Sequence, residues 1–323
     1  MIRPDMLVDA VIFSNLLALM SIGLALTYMT LKVPNFAHGD FVALGAYASY
    51  SLFALAGLNA YLGLPLAFLV SGGVALLLYV AVFKPLNKRG ASIVAMMIAS
   101  IALEVILRSA MHIYADIMTT ATPPDIFFRG FIVPEPFALQ LGSIRLSGLL
   151  IGSSLLVAGL VLGLHFALSK TRFGVAMRAA IENPSLASTL GVNVSLVYAV
   201  SWFLAGGLAG IAGALLPIKL PCSPETGWDF LLRIFAASIL GGFESIYGAV
   251  LGGYIIGFAE VLGAYLLAQP PLCLSTAYRP AIPFIILIAT LLIAPRGLTS
   301  VNWREVVQRL GIRSSLRVRR ESL

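Results

Sequence analysis

The sequence predicts an all-α polytopic membrane protein, on three observations. Of 323 residues, 59% are hydrophobic and 11% charged, against about 25% charged in soluble domains; mean hydropathy is +0.97. Residues 10–31, 41–83, 146–169 and 183–218 contain no Asp, Glu, Lys or Arg, and a bilayer span needs only about 20 apolar residues. Basic residues gather in short loops and in the C-terminal tail. A soluble fold of this length would expose far more polar surface than the chain supplies. That excludes a soluble enzyme, a disordered chain and a nucleic-acid-binding domain. The net charge of +7 is therefore a topology signal.

Turn residues divide the apolar runs into segments near 9–31, 36–57, 63–83, 91–114, 147–168, 195–217, 230–245, 247–267 and 280–295. Eight or nine of these are spans, some of them discontinuous, and one or two are expected not to cross fully. The first run does not read as a signal peptide: Asp5 and Asp9 sit where a basic leader is expected. Lys84, Lys88 and Arg89 share one loop and Lys170, Arg172 and Arg178 another, while the tail from Arg296 holds seven Arg against two Glu. All three are cytoplasmic by the positive-inside rule, and an even number of spans lies between them. Loops 115–146, 218–229 and 268–279 then lie outside, as does the N-terminus if the first three spans are complete. Residues 1–295 form a transmembrane domain and 296–323 a basic cytoplasmic tail. In the tail, Trp303, Val306, Val307 and Leu310 share a helical face, Asn302 with Glu305 reads as a capping box, and Arg side chains favour anionic lipid.

Three places interrupt the apolar pattern at an energetic cost. The first is Val33-Pro34-Asn35-Phe36-Ala37-His38-Gly39-Asp40. It is either a tight cytoplasmic turn or a discontinuous helix whose freed backbone lines a cavity. His38 and Asp40, two apart, are poorly placed to share a metal. The second is Gly241-Gly242-Phe243-Glu244 with Gly248, Gly252, Gly253 and Gly257. It reads as a break between half-spans followed by a close-packing helix face. The third is Glu104, Arg108 and His112, four apart on one helical face. Glu104 and Arg108 can neutralise each other, so this face is expected to point into the bundle or a partner subunit. Glu260 stands as a lone carboxyl with the same expectation. No phosphate-binding G-x-x-x-x-G-K-[ST] loop occurs, so ATP is not used by this chain alone.

The loop 169–194 encodes two short helices. Asn183 suits an N-cap, Pro184 the first helical position and Gly191 the position after the end. Phe173, Met177 and Ile181 recur at i, i+4, i+8, giving an amphipathic hairpin for a partner groove or for the bilayer surface. Cys222 and Cys273 both fall in outer loops. They either form a bridge, which an oxidising compartment permits, or remain two unpaired thiols.

At these residues the chain resembles the H-type permease subunits of branched-chain amino acid importers driven by ABC ATPases. Gly23-Leu24-Ala25-Leu26-Thr27-Tyr28, Asn35-Phe36-Ala37-His38-Gly39-Asp40 and Gly45-Ala46-Tyr47 match the family's early pattern. Met177-Arg178-Ala179-Ala180 with Leu190-Gly191-Val192, the glycine stretches at 206–213 and 241–253, and Arg296-Gly297-Leu298 also fit. The resemblance implies a bacterial or archaeal permease bundle in the cytoplasmic membrane. It also implies ATP-binding subunits that use the ATP, a second permease chain and an extracytoplasmic solute-binding protein, with no cofactor on this chain. It makes 169–194 the coupling element, through Phe173, Met177, Arg178, Ala179, Ala180, Glu182 and Gly191. Asn35, His38, Asp40 and Glu244 are the substrate-pathway candidates, and Glu104 with Arg108 a structural ion pair. Urea or short amides are alternative solutes. An ion-coupled secondary transporter using Glu104, Asp40 or Glu260, and a membrane enzyme using His38, Asp40 and His112, are alternative classes.

Overall fold

The computed structural model describes residues 4–123, 126, 128–141, 144–270, 273, 275–294 and 297–300. Its helices are α1 Pro4–Leu31, α2 His38–Ala56, α3 Leu64–Leu78, α4 Lys84–Lys88, α5 Ile93–Ala121, α6 Gly148–Lys170, α7 Arg172–Glu182, α8 Pro184–Thr189, α9 Val194–Leu215, α10 Thr226–Gly241, α11 Ile246–Ala268 and α12 Ala281–Ile293. Among the described residues, seven helical stretches are long and apolar enough to cross a membrane. Helix α10 has 16 residues and α12 has 13. At 1.5 Å per residue they reach about 24 and 20 Å, short of an ~30 Å hydrocarbon core. These are the expected incomplete spans.

Helix α1 is the axis of the bundle. It is apolar on every side, as a helix enclosed by others must be, and Ala10–Met29 is almost wholly buried against α6, α9, α10 and α11. Helix α9 packs on α1, α2 and α3 through a glycine-rich face. A Cβ on Gly213 would collide with the Val42 carbonyl, and one on Gly210 would lie 2.5 Å from the Ala67 carbonyl. With no hydrophobic force between helices in lipid, such backbone contact supplies the packing energy. Helices α5, α6 and α12 form the periphery and carry exposed rows such as Ile98, Ile106, Ile113 and Ile117.

Three sequence features explain departures from the expected boundaries. Pro85 has no N–H and its ring crowds the preceding turn, so the chain widens into a π turn at Tyr79–Phe83 before α4. Helix α5 continues past 114 to Ala121 because Pro123 is the first residue to stop it. Helix α10 starts at Thr226, four residues before the expected position. It ends where Gly242 takes φ +97°, and Ser245 Oγ accepts from Gly248 N at 3.0 Å to begin α11.

The two ends of the bundle are distinct. At one, Asp9 pairs with Lys219 at 2.5 Å, Phe131 pairs with Cys222 through the backbone, and a hairpin joins Ala138–Leu141 to Ile144–Ser147. This is the outer end of the positive-inside reading, with the start of α1 on the same side. At the other end lie Lys32, Glu244 and the α7–α8 hairpin. Arg296 and the tail beyond residue 300, with its amphipathic face at Trp303–Leu310, lie outside the described residues.

Candidate functional site: a charged column beside a broken helix

The segment 33–37 is a break inside the bundle. His38 Nε2 meets the Met20 carbonyl at 2.9 Å, and Met20 lies eleven residues, about 16 Å of helix, before the end of α1. The chain therefore leaves α1, climbs back, and begins α2 within the apolar region. Gly23 makes this possible: a Cβ there would lie 2.8 Å from His38 Cε1. Asn35 stabilises the break, its Oδ1 accepting from Ala37 N at 3.2 Å. Asp40, in the first turn of α2, sits where the helix dipole favours an anion. It packs on the backbone of Gly227 at the start of α10. Asn35 Nδ2, His38 Nδ1 and both Asp40 oxygens are buried and, among the described residues, meet no hydrogen-bonding group.

Beside this break runs a column of charge on α5. Glu104 is 2% exposed, and Arg108 Nε lies 3.4 Å from its Oε1, close but outside hydrogen-bond geometry. Arg108 Nη1 then reaches Glu225 Oε2 at 3.3 Å, and His112 Nε2 reaches Glu225 Oε1 at 2.8 Å. Trp228 covers the guanidinium of Arg108, 5.2 Å from ring centroid to Cζ. The hydrogen bond from His112, with Arg108 close by, holds the Glu225 carboxyl below the usual carboxylate range. The column grades from enclosed Glu104 to half-exposed His112 and Glu225. It can present a cation and an anion to a zwitterionic solute within one turn of helix. Glu104, Arg108 and His112 do share a face, which points at α10 as well as at each other.

Glu244, grouped with Asn35, His38 and Asp40 on sequence grounds, is not with them. It lies at the far end of α10, 71% exposed, paired with Lys32 at 2.7 Å. The α10–α11 connection is a surface turn, which the glycine pattern alone does not distinguish from a break within the bilayer. Glu260 is not alone either. Arg233 Nε contacts both of its oxygens at 3.0 and 3.1 Å, and Arg279 Nε contacts Oε1 at 2.8 Å. Sequence reasoning missed Glu225, Trp228, Arg233 and Arg279. The available signal was Arg233, a single base inside an apolar run, which requires an acidic partner in a neighbouring span.

The hairpin 169–194 forms as α7 and α8. Thr171 and Asn183 cap the two helices, and Gly191 adopts φ +85°. Its apolar face points the other way from the expected one. Met177 and Ala180 are buried, Tyr198 Oη donates to the Ala180 carbonyl at 3.0 Å, and Ser201 Oγ contacts Met177 Sδ at 3.8 Å. Phe173, Ala179 and Ile181 are half-buried. The face left outward carries Val175, Arg178, Glu182, Leu186, Leu190 and Gly191. An i, i+4, i+8 row shows that one side is apolar but not which apolar surface it meets; here α9 takes it. Both cysteines are free thiols, Cys222 buried and Cys273 exposed.

An interrupted helix ending inside an apolar bundle of seven span-length helices among the described residues, with a graded charged column on one face, defines a multi-pass membrane protein. A family model described as the permease component of branched-chain amino acid transport systems matches residues 6–291. The chain is 42% identical to the probable branched-chain amino acid transport permease LivH of Methanocaldococcus jannaschii, over 92% of each chain. It is 26% identical to the high-affinity permeases BraD of Pseudomonas aeruginosa and LivH of Escherichia coli. These alignments cover 90% of this chain and 94% and 93% of those proteins. No solved structure matches. The chain belongs to the family of branched-chain amino acid transport permeases; it is a transport component and not an enzyme.

Proposed function

We propose that the chain is one permease subunit of an ATP-driven importer that carries branched-chain amino acids across the cytoplasmic membrane. Residues 1–295 are its transmembrane domain, and the basic tail 296–323 lies in the cytoplasm. The chain binds no cofactor; ATP is used by partner subunits that dock on the α7–α8 hairpin through Val175, Arg178, Glu182, Leu186 and Leu190. An extracytoplasmic binding protein delivers the solute, and a second permease chain completes the pathway.

The observation that carries this reading is the column Glu104–Arg108–His112 with Glu225. Charged groups on a helix that otherwise shows Ile and Val outward are costly in lipid. Their half-exposed upper members therefore face an aqueous path or the partner permease. Asn35, His38 and Asp40 lie behind the column at the break, where movement of α2 against α10 would expose their unpartnered atoms. ATP-driven closure of the partner subunits pushes α7 against α9, which packs on α1, α2 and α3, and so shifts the broken helix.

The test is ATP-dependent uptake of radiolabelled L-leucine into proteoliposomes holding both permeases, the ATPases and the binding protein. Arg108→Gln is expected to reduce uptake strongly while leaving assembly intact. Uptake that needs no ATPase, or is unchanged in Arg108→Gln, overturns the reading.

A further inference from the structure

A cavity of about 450 Å³ opens at the outer end, walled by α1, α10 and the start of α12, with Glu260 of α11 at its base. It is separate from the column on α5, although Trp228 borders both. Glu260 is fully buried and binds two guanidinium groups, Arg233 and Arg279, whose side chains are 14% and 27% exposed. Two guanidinium groups share one carboxylate here, so one of the two cations has no carboxylate of its own within the cluster. Arg233 is already committed: its Nε binds Glu260 and its Nη1 donates to the Asp229 carbonyl at 2.5 Å. Arg279 is not. Its Nε binds Glu260 and its plane lies 4.5 Å from the Phe13 ring, but among the described residues no acceptor meets its two terminal nitrogens. Those nitrogens form a fork suited to a carboxylate.

The rest of the cavity narrows the ligand. The exposed carboxylate of Asp229 lines it, offering an acceptor for an ammonium and repelling a second anion. Its walls include Phe230, Pro283 and Phe284, an apolar surface for a branched aliphatic side chain. The geometry points to an outer subsite for a free aliphatic α-amino acid, with its carboxylate on Arg279, its ammonium on Asp229 and its side chain against Phe230 and Phe284. This rests on the reading of the chain as an amino-acid permease and adds to it a holding place at the outer end, apart from the α5 column. A phosphatidylglycerol headgroup shares the anionic contact with Arg279 but carries no ammonium for Asp229.

The full chain in nanodiscs of phosphatidylcholine is to be titrated with radiolabelled L-leucine by scintillation proximity. Arg279→Gln and Asp229→Asn serve as variants, the second being a surface change with little effect on folding. Each is expected to weaken leucine binding by about tenfold, the loss of one charge-assisted contact. 4-Methylpentanoate, which lacks the ammonium, is expected to compete poorly with leucine on the native chain and equally on Asp229→Asn. Absence of leucine binding, or equal binding in native chain and both variants, overturns the subsite. Anionic phospholipid retained by the native chain and lost in Arg279→Gln, without leucine binding, assigns the cavity to lipid and overturns it too. Leucine uptake by the full native transporter separates the readings: native uptake with no leucine bound at this cavity removes only the subsite, whereas absence of uptake by the native transporter removes the permease reading as well.

Discussion

Replacing Met177 by Ala separates packing from docking in the α7–α8 hairpin. Met177 is 2% exposed and lies on Ser201 of α9. Truncating a buried Met costs about 2–5 kcal/mol. The lower end applies here, because α7 is only 11 residues long and peripheral, so it can settle partway into the space. Met177→Asp costs more, since it buries a carboxylate while the neighbouring Arg178 guanidinium is turned to the Leu168 carbonyl. By contrast Val175 and Leu190 are 58% and 74% exposed, and surface changes usually stay within about 0.5 kcal/mol. Thermal unfolding of the purified chain, followed by fluorescence-detected size exclusion, should show a lowered midpoint for Met177→Ala and a native one for Val175→Asp and Leu190→Asp. Co-purification of the ATPase should give the reverse ranking among properly folded variants. If Met177→Ala keeps the native midpoint but loses the ATPase, the buried face of α7 is the docking face and the packing argument fails.

Gly227→Ala places a Cβ 2.7 Å from Asp40 Oδ1 and 2.9 Å from its Cα. Both backbones must move, so a loss of about 1–3 kcal/mol is expected in denaturant unfolding; a neutral result contradicts the α2–α10 contact. Glu225 has a folded-state pKa depressed below 4.5. Its stabilisation is complete above that value and is lost as pH falls through the folded pKa. Half-exposed, it contributes at most about 1 kcal/mol. Unfolding midpoints between about pH 6 and pH 3 should therefore show a slightly flatter profile for Glu225→Gln; an identical slope refutes the pairing with His112. A membrane-impermeant maleimide applied outside should label Cys273 without reductant and spare Cys222, whose burial pushes its thiol up to about 12. Labelling that requires reduction, or that reaches both thiols equally in the folded chain, counts against the structure.

The sequence by itself determined the class, the span positions and the family, because each follows from local composition or from short motifs. A run without charge must lie in lipid or in a core whatever surrounds it. Proline and glycine punctuate helices through their own backbones, so Pro34 and Gly39 mark an interruption, and the His38 contact with the Met20 carbonyl decides that it is a break inside the bundle rather than a cytoplasmic turn. It also identified α5 as the helix with a polar face, since Glu104, Arg108 and His112 share one side by spacing alone. Only the tertiary structure decided what those faces meet. Met177 and Ala180 turned inward because α9 offers them Tyr198 and Ser201, residues absent from the hairpin's own pattern. Glu244 moved to the surface because α10 starts and ends earlier than hydropathy suggests. Glu225 joined Arg108 across 117 positions, and Glu260 gained two arginines from α10 and the loop before α12. Helical periodicity reports which residues lie side by side on one helix. Which helices meet is set by glycine-permitted backbone contacts and by the need to pair buried charge, and both depend on residues far apart in the chain.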